Sequence, residues 1–351
     1  MEIMKILEYA VANQASDIFI VAGKPVSYKI NNEICQPGDE CLTPEDCRGL
    51  IGGIYELTPQ RNMVEYTAEG DDDFAFSVPH LSRFRVSVYR QRSSLAAVIR
   101  VISFELPEPK DINIPETVID LGKLTKGLVL ITGSAGSGKS TTLSCIIEAI
   151  NTSRSCHIIT LEDPLEFLHR HKKSIVSQRE IPLDTKSYVV ALRAALRQSP
   201  DVILLGEMRD YETINIAMTA AETGHLVLST LHTVGAANSI DRIVDVFPEN
   251  QQAQIRVQLS MVLKAVVSQQ LVPGLAGKPI PAFEIMLCNK AVSNMIREAK
   301  THQLDTVIAS SSQEGMVTMN ASLANLVKEG QISPEDALLY SPAPEALAKN
   351  L

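Results

Sequence analysis

Ile3, Ile6, Leu7, Ala10 and Val11 recur at the spacing that places them on one helical face. Ser16–Gly23 and Val26–Ile30 follow as apolar runs of strand length, and Asn31-Asn32 before Ile34 predicts a tight hairpin. Thr43-Pro44-Glu45-Asp46 opens a second helix, with Thr43 as N-cap and Asp46 at the third position. The period then changes to two. Phe84, Val86 and Val88 alternate with Arg85, Ser87 and Tyr89, as expected for a strand buried on one face. Val98–Ile102 predicts a neighbouring strand, and Phe74–Val78 another, led in from solvent by Asp71-Asp72-Asp73. Residues 1–106 therefore read as an α+β domain with an antiparallel sheet.

Pro107, Pro109 and Pro115 mark 107–115 as a stiff extended linker. Beyond it the apolar runs no longer alternate. Leu128–Thr132, His157–Leu161, Val202–Gly206 and Leu226–Ser229 are strands buried on both faces, separated by helical stretches. That order predicts an α/β domain over 116–351, with a parallel sheet and ligands at the strand C-terminal ends. The tail from Ala291 is helix-rich, with Ala321, Leu323, Leu326 and Val327 as one apolar face.

Composition narrows the classes. A chain of 351 residues, 45% hydrophobic and 21% charged, has ample core for two domains. Its net charge of -9, absence of tryptophan and 5% aromatics argue against a dedicated nucleic-acid binder. No apolar run approaches the ~20 residues of a membrane helix, and the first residues lack a signal-peptide layout. The expected location is cytoplasmic. None of the six cysteines forms a C-x-x-C pair, so they read as ordinary reduced thiols.

The chemistry starts at Gly133-Ser134-Ala135-Gly136-Ser137-Gly138-Lys139-Ser140-Thr141, which fits G-x-x-x-x-G-K-[ST] between a strand and a helix. Glycines let backbone N–H groups curl around a polyphosphate, and the helix N-terminus adds partial positive charge. Lys139 then reaches the outer phosphates of ATP, and the Ser140 hydroxyl can ligate Mg²⁺. Glu162-Asp163-Pro164-Leu165-Glu166 follows a core strand, where an attacking water or metal would sit. Asp201–Glu207 resembles the second nucleotide motif, with Gly206 in place of the usual aspartate. Glu207 is left alone there, and Glu162 is the candidate to fill the vacated role. His225 and His232 flank Leu226–Ser229; His232, just past the strand, reads as a sensor of nucleotide state. Arg83 and Arg90 read as a basic surface face, while Arg85 and Arg100, on neighbouring strands, read as arginine fingers.

Together these segments resemble the secretion ATPase superfamily (GspE/PilB/VirB11-like) that powers type II secretion, type IV pili and type IV secretion. Within it they are most similar to the PilT/PilU-type retraction ATPases. The segments are Gly133–Thr141, Ile158–Phe167, Asp201–Asp210 and Thr223–Thr233 with Ile240–Pro248. The resemblance implies a PAS-like first domain, a RecA-like P-loop ATPase domain and a homo-hexamer with nucleotide held between the domains. Arg85 and Arg100 match its arginine positions. It also implies a PilC-like inner-membrane platform protein as partner, work at the inner face of the cytoplasmic membrane without insertion, and no nucleic acid. Extension ATPases carry a zinc-binding cysteine set that this chain lacks, which favours retraction. The family's A-I-R-x-x-I-R-E stretch appears as Ala291–Glu298, with Ser293 at the first arginine. The competing readings are an extension ATPase, a RecA-like nucleic-acid motor, which single-stranded DNA would stimulate, and a small-molecule kinase, for which no lid is recognisable.

Overall fold

The structure is a computed structural model and describes residues 2–30, 33–58, 63, 70–102, 106–349 and 351. The chain divides into two compact units: residues 1–105 with 166–168, and residues 106–165 with 169–351.

The first unit contains α1 (Ile3–Ala12), β1 (Asp17–Ile20), β2 (Ser27–Ile30), β3 (Glu33–Cys35), α2 (Pro44–Glu56), β4 (Asp71–Val78), β5 (Ser82–Gln91) and β6 (Ser94–Ile102). Its strands form an antiparallel sheet in the order β3-β2-β1-β6-β5-β4. The predicted alternation holds: Phe84, Val86 and Val88 are buried in one core with Ile6, Leu7, Ile51 and Ile54 from the two helices. Thr43 caps α2 as expected, exchanging hydrogen bonds with Asp46, and that pairing holds the Asp46 carboxyl below its usual range. Asn31-Asn32 lies outside the described residues, although the β2–β3 pairing it was expected to join is present. The acidic run corrects the sequence reading. Asp71–Asp73 belongs to β4 itself, and Asp72 is buried, accepting the Tyr55 hydroxyl at 2.7 Å. A buried carboxylate survives there because it has that partner.

The second unit contains α3 (Glu116–Ile119), β7 (Gly127–Thr132), α4 (Lys139–Ser153), β8 (His157–Glu162), β9 (Ile175–Glu180), α5 (Tyr188–Ala195), β10 (Val202–Leu205), α6 (Tyr211–Glu222), β11 (Leu226–Leu231), α7 (Ala236–Asp245), α8 (Glu249–Val262), β12 (Leu263–Pro273) and β13 (Pro279–Leu287). The helices α9 (Lys290–Arg297), α10 (Leu304–Ser310), α11 (Met319–Lys328), α12 (Pro334–Tyr340) and α13 (Pro344–Ala348) close it. The sheet order is β13-β12-β7-β11-β10-β8-β9, parallel throughout except for β13. Successive residues of the central strands feed two cores. Leu128, Leu130, Ile203 and Leu205 face α5 to α8, while Val129, Ile131, Val202 and Leu204 face α4 and the segment before β7. Ile112 and Ile114 pack on that second face, so residues after Leu106 run along this unit. In α11 the buried face is Met319, Leu323, Ala324 and Leu326; Ala321, expected inside, is exposed because it lies two residues from both Met319 and Leu323, which puts it on the opposite side of a 3.6-residue turn. No helix among the described residues is long and apolar enough to cross a membrane.

Candidate functional site

β7 and α4 are joined by Gly133–Gly138, and the loop takes its shape from its glycines. Gly133 (φ 143°), Gly136 (φ 76°) and Gly138 (φ 87°) lie where side chains are strained. A Cβ on Gly133 would stand 2.2 Å from the Gln269 carbonyl oxygen and 2.7 Å from Ser137 Oγ. Gln269, on β12, is buried and accepts from Thr142 Oγ1 at 2.7 Å, so β12 braces both ends of the loop. Lys139 Nζ donates to the carbonyls of Gly133 at 2.9 Å and Ser134 at 2.7 Å. The buried Ser137 hydroxyl has no hydrogen-bond partner among the described residues. Gly138, Thr141 and Thr142 border a cavity of about 460 Å³, walled on its far sides by Ile112, Leu271 and Ile280.

The acids leave neighbouring strands. Moving from β7 the order is β11, β10, β8, so His232, Glu207 and Glu162 emerge successively farther from the loop, ~4.8 Å per strand. His232 Nε2 lies 3.1 Å from Glu207 Oε2, and the Arg209 Nε donates to the same oxygen at 2.6 Å. This bond is the chief reason the Arg209 pKa is raised. Tyr188, on α5, stands beside Gly206, where a Cβ would meet its hydroxyl at 2.9 Å. Burial, then the charges of Glu207, Asp163 and Glu162, push its phenol well above the ordinary tyrosine range. The charges of both predicted acidic segments thus act on one phenol. The loop carrying His232 is fastened from β12 and β13: Ser268 Oγ accepts from Gly235 N at 2.9 Å, and Glu284 Oε1 accepts from Ala236 N at 2.8 Å.

Of the residues expected from sequence, Glu207 and His232 are in contact, with Glu162 on the adjacent strand. His225 is at the opposite end of β11, where its Nδ1 meets the Ala220 carbonyl at 2.9 Å, a turn contact remote from the loop. Arg85 and Arg100 face each other as a cross-strand pair in the first unit, with Arg100 Nε 3.2 Å from Asp17 Oδ1. Sequence reasoning passed over Arg209, Tyr188 and Gln269. Arg209 was in view, two positions beyond Glu207, and residues two apart on extended chain share a face.

Residues 1–284 match the family described as "Type II/IV secretion system protein". The type IV pilus retraction ATPase PilT of Pseudomonas aeruginosa is 40% identical over 345 residues, spanning 98% of this chain and 99% of that protein. A twitching motility protein of Neisseria gonorrhoeae is 47% identical over 297 residues, 84% of this chain and 79% of the relative. Among solved structures, the pilus retraction motor PilT with bound ADP superposes with a TM-score of 0.88 at 45% identity, covering 99% of both chains.

Proposed function

The chain belongs to the type II/IV secretion system protein family, and from that premise we propose that it works as a homo-hexameric Mg-ATP hydrolase retracting a type IV pilus. It is an ATPase of the pilus-retraction kind. The reading rests above all on one arrangement: the phosphate loop, Glu207 with His232, and Glu162 all lie at the same end of one sheet.

The residues present fit Mg-ATP. Gly133, Ser134, Gly136, Ser137, Gly138 and Thr141 supply the cradle, with the Ser137 hydroxyl buried and awaiting an acceptor or donor. Lys139, now on two loop carbonyls, has phosphate oxygens as its alternative partners. The base and ribose would enter the 460 Å³ cavity beside Thr141 and Thr142. Ser140 and Glu207 offer two oxygen donors, which suits a cation arriving on phosphates. When bound, Mg²⁺ neutralises charge on the phosphoryl oxygens. Glu162, farther from the loop, takes the proton of the attacking water. His232, hydrogen-bonded to Glu207, reports on nucleotide state. Arg85 and Arg100 supply cationic groups from the first, PAS-like, domain. The motor acts at the cytoplasmic face of the inner membrane on a PilC-like platform protein, without nucleic acid and without entering the bilayer.

Two measurements test this. Purified chain should hydrolyse ATP without stimulation by single-stranded DNA, and deleting the gene should leave cells with excess pili and no twitching. Normal retraction in the deletion strain removes the pilus assignment; strong DNA stimulation favours a nucleic-acid motor.

A further inference from the structure

The site contains a cation that this mechanism leaves unused. Glu207 is nearly buried, with 12% of its side chain exposed, whereas the Arg209 side chain is 73% exposed. Both Arg209 Nε and His232 Nε2 approach the same carboxylate oxygen, Oε2, at 2.6 and 3.1 Å. The guanidinium is also within the field of Asp163 and of the Tyr188 hydroxyl. It is thus the counter-charge to Glu207 first and to Asp163 second. Lys139 is held in a parallel way, its ammonium on the Gly133 and Ser134 carbonyls. Two cations at the same end of the sheet are therefore engaged by protein oxygens.

A divalent cation supported by Glu207 and a guanidinium on the same oxygen repel each other, so one must yield. Arg209 can do so at little cost, since its guanidinium end is largely exposed and water takes over its hydrogen bonds, and a solvent-screened pair of this kind biases an equilibrium by about fivefold. Glu207 cannot retreat, being nearly buried and fixed just beyond a core strand. We propose that Arg209 is a counter-ion gate: it neutralises Glu207 before nucleotide binds and leaves that oxygen when the metal–nucleotide complex arrives. Through Glu207 it is a positioning residue, and the inference rests on Glu207 supporting the cation. Keeping the carboxylate paired until loading also limits the capture of divalent ions without nucleotide.

The test uses the full chain loaded with ADP and freed of unbound nucleotide, with Mn²⁺ as a paramagnetic substitute for Mg²⁺, and free Mn²⁺ followed by electron paramagnetic resonance. Arg209→Gln removes the competing charge, so Mn²⁺ should bind roughly two- to fivefold tighter than to wild type. Arg209→Lys, which keeps a cation there, should stay near wild type. Arg193→Gln, which removes an exposed arginine paired with Glu212 elsewhere on this unit, should not shift the affinity. Unchanged or weaker Mn²⁺ binding in Arg209→Gln overturns the gate, as does an equal shift in Arg193→Gln. If wild type binds ADP but no Mn²⁺ with it, the role of Glu207 fails as well; if it binds no ADP, the nucleotide site itself is wrong.

Discussion

Gly133→Ala probes the phosphate loop where the structure leaves no room. The new methyl would lie 2.2 Å from the carbonyl oxygen of Gln269, in a strand of the central sheet, and 2.7 Å from Ser137 Oγ. A side chain could turn aside, but a backbone carbonyl in a paired strand cannot. The loop must therefore move by about 1 Å before the contact becomes ordinary. At φ 143° an alanine also carries about 1–3 kcal/mol of backbone strain. A displacement of that size turns one or two N–H groups away from the phosphates. Each such hydrogen bond to a charged group contributes about 1.5–3 kcal/mol. ADP affinity should fall by roughly 10²-fold. Gly136→Ala provides the comparison, because it shares the loop and a positive φ of 76° but has no heavy atom within 4 Å of its Cβ position. There only strain of about 1–2 kcal/mol applies, and affinity should drop by about thirtyfold at most. Titration with a fluorescent ADP analogue measures both variants, and melting curves show that each is folded. If Gly133→Ala binds within about threefold of wild type, or Gly136→Ala is the weaker binder, the packing of β12 against the loop does not set its shape.

Three further outcomes can be checked on the same protein. Glu162→Gln should bind ATP normally and turn it over about 10²-fold or more slowly in steady-state assays, since the amide keeps the shape and loses the base; if only Glu207→Gln is trapped in this way, the two acids exchange roles. Arg85→Ala and Arg100→Ala should leave ATP affinity unchanged and lower kcat by about 10³-fold or more, as expected for groups acting on developing charge, and normal turnover in both dismisses them as fingers. His169, buried against Glu148 at 3.2 Å, has its pKa pushed down by burial, with the Glu148 hydrogen bond opposing. Folding therefore favours the neutral ring, and its contribution is present above pH ~6.5 and declines as the pH falls below that value; the melting temperature of His169→Gln should lose part of the wild-type decline between pH 7.5 and 5.8, and an unchanged decline refutes the assignment.

What the sequence disclosed, and what it kept, follows from how local each feature is. β7, β8, β10 and β11 were legible because burial on both faces makes each a mostly apolar run without alternation. β9 was not, since this edge strand reads Ile-Val-Ser-Gln-Arg-Glu. β12 escaped because α8 ends at Val262 and the strand starts at Leu263 with no breaker between them. Phosphate loop, Glu162, Glu207 and His232 were readable because each sits at the end of a recognisable strand. The Thr142–Gln269 bond joins positions 127 apart, and no periodicity can announce it.

The arginine pair lies between these extremes. Arg85 faces Arg100 because Gln91 pairs with Ser94, which leaves Arg92-Ser93 as a two-residue turn between β5 and β6. Both turn residues have positive φ, 47° and 66°, the backbone that Asn-Gly usually supplies in such hairpins. Arg92-Ser93 carries no such signature, so the register was invisible even though both strands were not. A slip of one residue would send one arginine to the opposite face of the sheet. Whatever Arg85 and Arg100 do together therefore depends on a turn whose residues are ill-suited to it, held there by the strand pairing on either side rather than by their own preference.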